Sequence, residues 1–143
     1  PMGSYKNPTI CQEENLREIS KLLKNVKIKN VSFEECLNWT KKGDFIYLDP
    51  PYYPLKKESF TTYTKDNFLG KEQEKLKEVF DKLNKKGCKV MLSNSDTNFI
   101  KKLYKDYKIN IVKASRMINC DGSKRGKINE LVVTNYPLNT RVL

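Results

Sequence analysis

The chain has 143 residues, with 28 Lys and Arg against 17 Asp and Glu, a formal net charge of +11 and no histidine. The absence of histidine excludes a histidine base, a Ser-His nucleophile pair and a His-ligated metal. No apolar run approaches the roughly 20 residues that span a bilayer, so a single soluble globular domain of mixed polar and aromatic composition is expected. The positive balance suits a polyanionic partner, since each neutralised phosphate releases counterions, and equally a generally Lys-rich proteome. Cys11, Cys36, Cys88 and Cys120 form no C-x-x-C pair; they read as reduced, partly buried thiols of a cytoplasmic protein with no metal site. The first ten residues lack the apolar centre of a secretory signal.

In chain order, Leu16, Ile19, Leu23 and Val26 recur at helical spacing and predict a helix over about 12–25, with Glu13 and Glu14 early and Lys21 and Lys24 late. Lys27 to Asn30 is a short strand candidate. Ser32-Phe33-Glu34-Glu35 has a capping-box pattern and opens a short helix with Phe33, Cys36, Leu37 and Thr40 on one face. Gly43 stops it, and Asp44 to Leu48 reads as a buried strand running into Asp49-Pro50-Pro51-Tyr52. Residues 53–65 look like a loop. A long amphipathic helix follows, with Phe68, Leu69, Leu76, Val79, Phe80 and Leu83 inward and Gly87 closing it. Cys88 to Leu92 is a second buried strand, ending in Ser93-Asn94-Ser95-Asp96, where Asp96 is placed to cap a helix bearing Phe99, Ile100 and Leu103. This alternation predicts an α/β fold with a parallel sheet. Ile109 to Lys113 and Glu130 to Tyr136, joined by a polar loop, predict a closing antiparallel hairpin.

The chemistry concentrates at Asp49-Pro50-Pro51-Tyr52, at the carboxyl end of a strand, where open α/β sheets place their ligands. A rigid turn is the bland reading of these residues. The chemical one begins with an exocyclic amine such as adenine N6, whose lone pair is delocalised into the ring. The Asp49 carboxylate and the Pro50 carbonyl, held by locked φ angles, can accept both amine hydrogens and aim the lone pair at a methyl donor. Tyr52 offers a face on which an extruded base can stack. Direct transfer from a sulfonium needs positioning and electrostatics and no covalent intermediate. Methylation at a pyrimidine carbon would need a nucleophilic thiol, and no cysteine adjoins the motif.

These residues resemble the Dam-like (DpnM-type, class alpha) adenine-N6 DNA methyltransferases, which carry an Asp-Pro-Pro-Tyr motif. The similarity runs over nearly the whole chain: Tyr5-Lys6-Asn7-Pro8, Ile28 to Phe33, the motif itself, Ser93-Asn94-Ser95-Asp96, and Ser115-Arg116 through Asn129-Glu130 to Thr134-Asn135-Tyr136. The resemblance implies part of a Rossmann-like sheet, mostly parallel with a C-terminal antiparallel hairpin. It implies S-adenosylmethionine as co-substrate, no metal, and double-stranded DNA as partner, with a GATC-like site and no membrane. Asp49 would bind the donor's amino group and polarise the target amine. Pro50, Pro51 and Tyr52 would form the adenine pocket, and Phe33 with Ser32 would contact the donor's adenosine. Tyr5, Lys6 and Tyr53 would touch DNA. A core position for Phe33 and a solvated tail for Tyr5 and Lys6 are the alternatives. Residues 1–10 correspond to the end of a target-recognition region and 11–143 to the C-terminal part of the catalytic domain.

The family's Phe-x-Gly-x-Gly donor loop has no counterpart, for the six glycines at 3, 43, 70, 87, 122 and 126 form no Gly-x-Gly. The sequence therefore resembles the C-terminal half of such an enzyme. Its Asp49 strand is expected to have an unpaired edge, protected by self-association or by a missing N-terminal half. Other readings are transfer to cytosine N4 or to RNA adenine, and a non-catalytic DNA-binding remnant. Asp at 49, where cytosine-N4 enzymes generally carry Ser, favours adenine.

Overall fold

A computed structural model describes residues 11–55, 68–115 and 127–138. The chain divides into two units, Pro1–Ser32 and Phe33–Leu143.

In the first unit, α1 spans Glu13–Leu23, with Glu13 and Glu14 in the first turn and Lys21 in the last, each opposing the helix dipole. Arg17 pairs with Glu13 at 2.6 Å and Lys21 with Glu18 at 2.7 Å on the exposed surface, where such pairs contribute about 0.3–0.5 kcal/mol each. The apolar stripe predicted from Leu16, Ile19, Leu23 and Val26 stays exposed. The strand expected at Lys27 to Asn30 does not form; a strand needs a neighbour to complete its ladder, and none of the described strands pairs with it.

The second unit opens with a 3-10 turn, Phe33–Glu35, leading into the short helix α2, Cys36–Trp39. Strands β1 (Phe45–Leu48), β2 (Lys89–Ser95), β3 (Lys108–Ser115) and β4 (Lys127–Thr134) form one sheet in the order β1-β2-β4-β3. β1 lies parallel to β2, while β4 is antiparallel to both β2 and β3. Three strands thus point one way and only β4 runs against them, which agrees with the predicted mostly parallel sheet and closing hairpin. The crossover from β1 to β2 carries α3, Gly70–Lys85. Gly87, at φ +82°, turns the chain out of α3, and its carbonyl accepts from Gly43 N at 3.0 Å. Gly43 itself sits at φ +94°, so both tight turns use the residue that enters left-handed space without a Cβ penalty. With Lys89 N donating to Asp44 O at 2.8 Å, this clasp sets β1 and β2 in register.

The core lies on one face of the sheet. Leu76, Val79, Phe80 and Leu83 of α3 pack with Val90, Leu92, Leu131 and Val133, joined by Ile100 and Tyr104. The predicted buried strand at β1 is only half covered. Ile46 and Leu48 face the core, whereas Phe45 and Tyr47 on the opposite face are 58% and 53% exposed. β1 is also an edge strand among the described residues. The second strand is longer than expected, because Ser93, Asn94 and Ser95 continue the ladder opposite Val132, Leu131 and Glu130. The predicted cap also moves by one residue: Thr97 Oγ1 accepts from Ile100 N and caps α4, Asn98–Leu103. Asp96 instead pairs with Lys101 at 2.5 Å. Cys88 is buried and its thiol donates to Lys41 O at 3.3 Å, Cys36 is half-buried and Cys11 is exposed, all three as free thiols. Cys120 lies outside the described residues. No helix among the described residues is long and apolar enough to cross a membrane.

Candidate active site

β1 and β2 end side by side, with Leu48 opposite Leu92. The next residues on the open face of the sheet, Asp49 and Ser93, are therefore neighbours, and Ser93 Oγ donates to Asp49 Oδ1 at 2.6 Å. Tyr47, two residues back on the same face, donates its hydroxyl proton to Ser93 Oγ at 3.0 Å. A hydroxyl can accept and donate together, so Tyr47, Ser93 and Asp49 form a directed chain that ends on the carboxylate. On the same side Tyr52 reaches across to Glu130 Oε2 of β4 at 3.4 Å. Burial pushes the Tyr52 hydroxyl above its usual range; the nearby Glu130, Asp49 and Tyr47 push the same way, against a hydrogen bond with Ser93. Tyr52 is a neutral phenol at physiological pH.

The side of the turn toward the helices is held by a separate set. Gln73 of α3 donates from Nε2 to Pro51 O at 3.0 Å, and Asn94 Nδ2 donates to Gln73 Oε1 at 3.0 Å. Asn94 Oδ1 accepts from Tyr53 N at 3.0 Å and Ser95 N at 2.9 Å, and Ser95 Oγ donates to Tyr53 O at 2.6 Å. At the carboxyl end of β2, Ser93 thus serves the carboxylate, while Asn94 and Ser95 serve the turn behind it.

Asp49 is exposed at the strand end, and Pro50 and Tyr52 are half-buried beside it. The Tyr53 ring stacks on Phe99, centroids 4.5 Å apart, and packs against the core. Phe33 meets Phe68 edge-on at 5.9 Å and also packs against the core. Ser32 belongs to the first unit, and Tyr5 and Lys6 lie outside the described residues. Tyr47, Gln73 and Glu130 also converge here, beyond the residues expected from the sequence. Gln73 did leave a signal, since it falls three residues before Leu76 and seven before Phe80, on the inward stripe of α3. Glu130 left no signal beyond its place in the C-terminal segment that resembles the family, because only the β2–β4 register brings it near Tyr52. Among the described residues no group of three or more His, Cys, Asp or Glu could hold a metal ion.

At the rim, Lys101 and Asn129 hydrogen-bond Asp96 and hold its carboxyl below the usual carboxylate range. A lowered folded-state pKa stabilises the fold above the unfolded value of about 4 and loses that contribution as pH falls through the folded one. Asp96→Asn is therefore expected to be less stable than wild type at pH 7, with the two converging at a pH below the folded-state pKa of Asp96. Urea titrations at both pH values check this.

Residues 1–118 match the family described as D12 class N6 adenine-specific DNA methyltransferase. The chain belongs to this family. The Asp49–Tyr52 turn lies within the matched residues. Among individual proteins, the chain is 50% identical over 139 residues to Type II methyltransferase M.MjaIII of Methanocaldococcus jannaschii, covering 95% of this chain and 48% of that protein. It is 33% identical to a DNA adenine methylase of Vibrio cholerae, covering 96% of this chain and 50% of that one. With the DNA adenine methylase of Escherichia coli the figures are 30%, 96% and 49%. The chain spans about half the length of the curated relatives it matches.

Proposed function

We propose that this chain carries the amine-polarising half of a DNA methyltransferase that moves a methyl group from S-adenosylmethionine to adenine N6 in duplex DNA. The observation that carries the reading is the Asp49 carboxylate, fixed by Ser93 at 2.6 Å beside the half-buried Tyr52. A carboxylate has two oxygens and about four lone-pair positions, so one bond from Ser93 leaves capacity for an amine. Asp49 and the Pro50 carbonyl accept the hydrogens of the target amine and localise its lone pair. Tyr52, neutral and half-buried, receives the face of the extruded base and excludes water from one side of it.

The donor set suits the co-substrate, for Asp49 and Glu130 both raise the Tyr52 hydroxyl. They form a locally acidic patch in a chain of net charge +11, matched to a cationic amino group and sulfonium. When bound, S-adenosylmethionine supplies the electrophilic methyl group. Phe33 and Ser32 are assigned to its adenosine, and Tyr5, Lys6 and Tyr53 to the DNA, with a GATC-like recognition site. The excess of Lys and Arg supports the duplex electrostatically.

The test is to incubate the chain with methyl-labelled S-adenosylmethionine and unmethylated duplex DNA, then digest the DNA to nucleosides. Label in N6-methyladenine supports the assignment. Label in N4-methylcytosine would move it to cytosine, and salt-sensitive DNA binding with no label would leave a DNA-binding module.

A further inference from the structure

We propose that Gln73 and Asn94 are positioning residues for methyl transfer, a buried amide pair that fixes the Asp49–Tyr53 turn. The inference rests on the methyltransferase reading of Asp49–Tyr52. Both side chains are 0% exposed, and an amide buried to that degree is retained in a core only where its hydrogen bonds are made. Here each bond has a defined direction. Gln73 gives a proton to Pro51 O and takes one from Asn94; Asn94 in turn takes one from Tyr53 N. With Ser95 Oγ on Tyr53 O, the backbone is held immediately before and immediately after Tyr52.

That placement decides what the pair controls. Pro50 and Pro51 have fixed φ angles, so the remaining freedom of the turn lies in rotation about its neighbours, and those are the atoms the amides grip. The Tyr53 ring on Phe99 locks the far side. None of these contacts falls on Asp49 itself, whose orientation comes from Ser93. Ser93 therefore sets the carboxylate, while the amide pair sets the backbone that carries the base-stacking ring. Apolar side chains in place of the pair would remove the partners of Pro51 O and Tyr53 N. A misplacement of about 1 Å in a reacting geometry can cost about a hundredfold in rate.

The test compares Gln73→Glu, which sets a carboxylate oxygen against the Pro51 carbonyl, and Gln73→Met, which keeps the bulk and removes the donor. Val79→Ala serves as a control of lowered stability within α3 but away from the turn. Hydrogen exchange at the Tyr53 amide is expected to accelerate more than tenfold in both Gln73 variants and to follow only global stability in Val79→Ala. The turnover number should fall at least thirtyfold in the Gln73 variants with the donor KM within twofold, and stay within threefold of wild type in Val79→Ala. Wild-type protection at Tyr53 in Gln73→Met, or a loosened turn with unchanged turnover, overturns the inference. A wild-type chain that transfers no methyl group defeats the reading beneath it and the catalytic claim with it; the exchange data then still decide whether the pair holds the turn.

Discussion

Asp49→Ala is expected to lower methyl transfer to duplex DNA by about 10²–10⁴-fold, the range associated with removing a positioned proton-accepting group. The loss arises because the target amine then keeps its lone pair in the ring, with the Pro50 carbonyl as a single remaining acceptor. On the proposed reading DNA affinity should move little, since phosphate contacts dominate duplex affinity and the chain has 28 basic residues over which to distribute them. Stability should also stay within about 0.5 kcal/mol of wild type, because Asp49 is exposed. Initial rates with labelled donor, filter binding and a urea melt on the same preparation separate the three quantities. Retention of the wild-type rate would remove Asp49 from the chemistry.

The largest effect on stability is expected at Phe80→Ala, at about 3–5 kcal/mol. Phe80 is fully buried, and its ring lies edge-on against Tyr104 and Tyr107, with centroids at 5.4 and 4.6 Å. The walls of the cavity cannot readily collapse. Tyr107 donates to Asp81 at 2.5 Å, and Lys77 holds both oxygens of the same carboxylate at 2.8 Å. Burial, with Asp81 acting second, raises the hydroxyls of Tyr104 and Tyr107 well above the ordinary tyrosine range. Against a typical domain stability of about 5–15 kcal/mol, the melting temperature should fall by roughly 10 °C or more. A cost below about 1.5 kcal/mol in a denaturant titration would mean that the aromatic cluster repacks.

What could be read from the sequence follows the range of the interaction responsible. The stripe of Leu76, Val79, Phe80 and Leu83 and the left-handed stop at Gly87 are local patterns, and the structure contains them. So is Asp49-Pro50-Pro51-Tyr52, whose two prolines end β1 where expected. The cover of β1 was not legible, because Phe45-Ile46-Tyr47-Leu48 is apolar throughout and nothing within it records that only one face meets a helix. That the ladder of β2 runs on through Ser93, Asn94 and Ser95, past the expected limit at Leu92, was not legible for a related reason. Their polarity is satisfied by Asp49, Gln73 and Tyr53, partners 21 to 44 positions away in the chain. Glu130 reaches Tyr52 over 78 positions, a distance at which spacing carries no information. The cap at Thr97 in place of Asp96 is a competition between two adjacent acceptors, decided by Lys101, which takes the carboxylate.

The insertion of β4 between β2 and β3 bears on the order in which the molecule assembles. β3 and β4 are consecutive, so their eight-residue ladders can zip from one closed loop on the hairpin timescale of about 1–10 μs. The β1–β2 ladder is parallel and must wait for the whole α3 crossover to close, a non-local step with a larger entropic cost. On this ordering the hairpin is the template on which β2 docks, and β1, at the edge among the described residues, is expected to join after it. The turn bearing Asp49 and Tyr52, between β1 and α3, therefore takes its shape only when that crossover closes, and its anchors on Gln73 and Asn94 form in the same step.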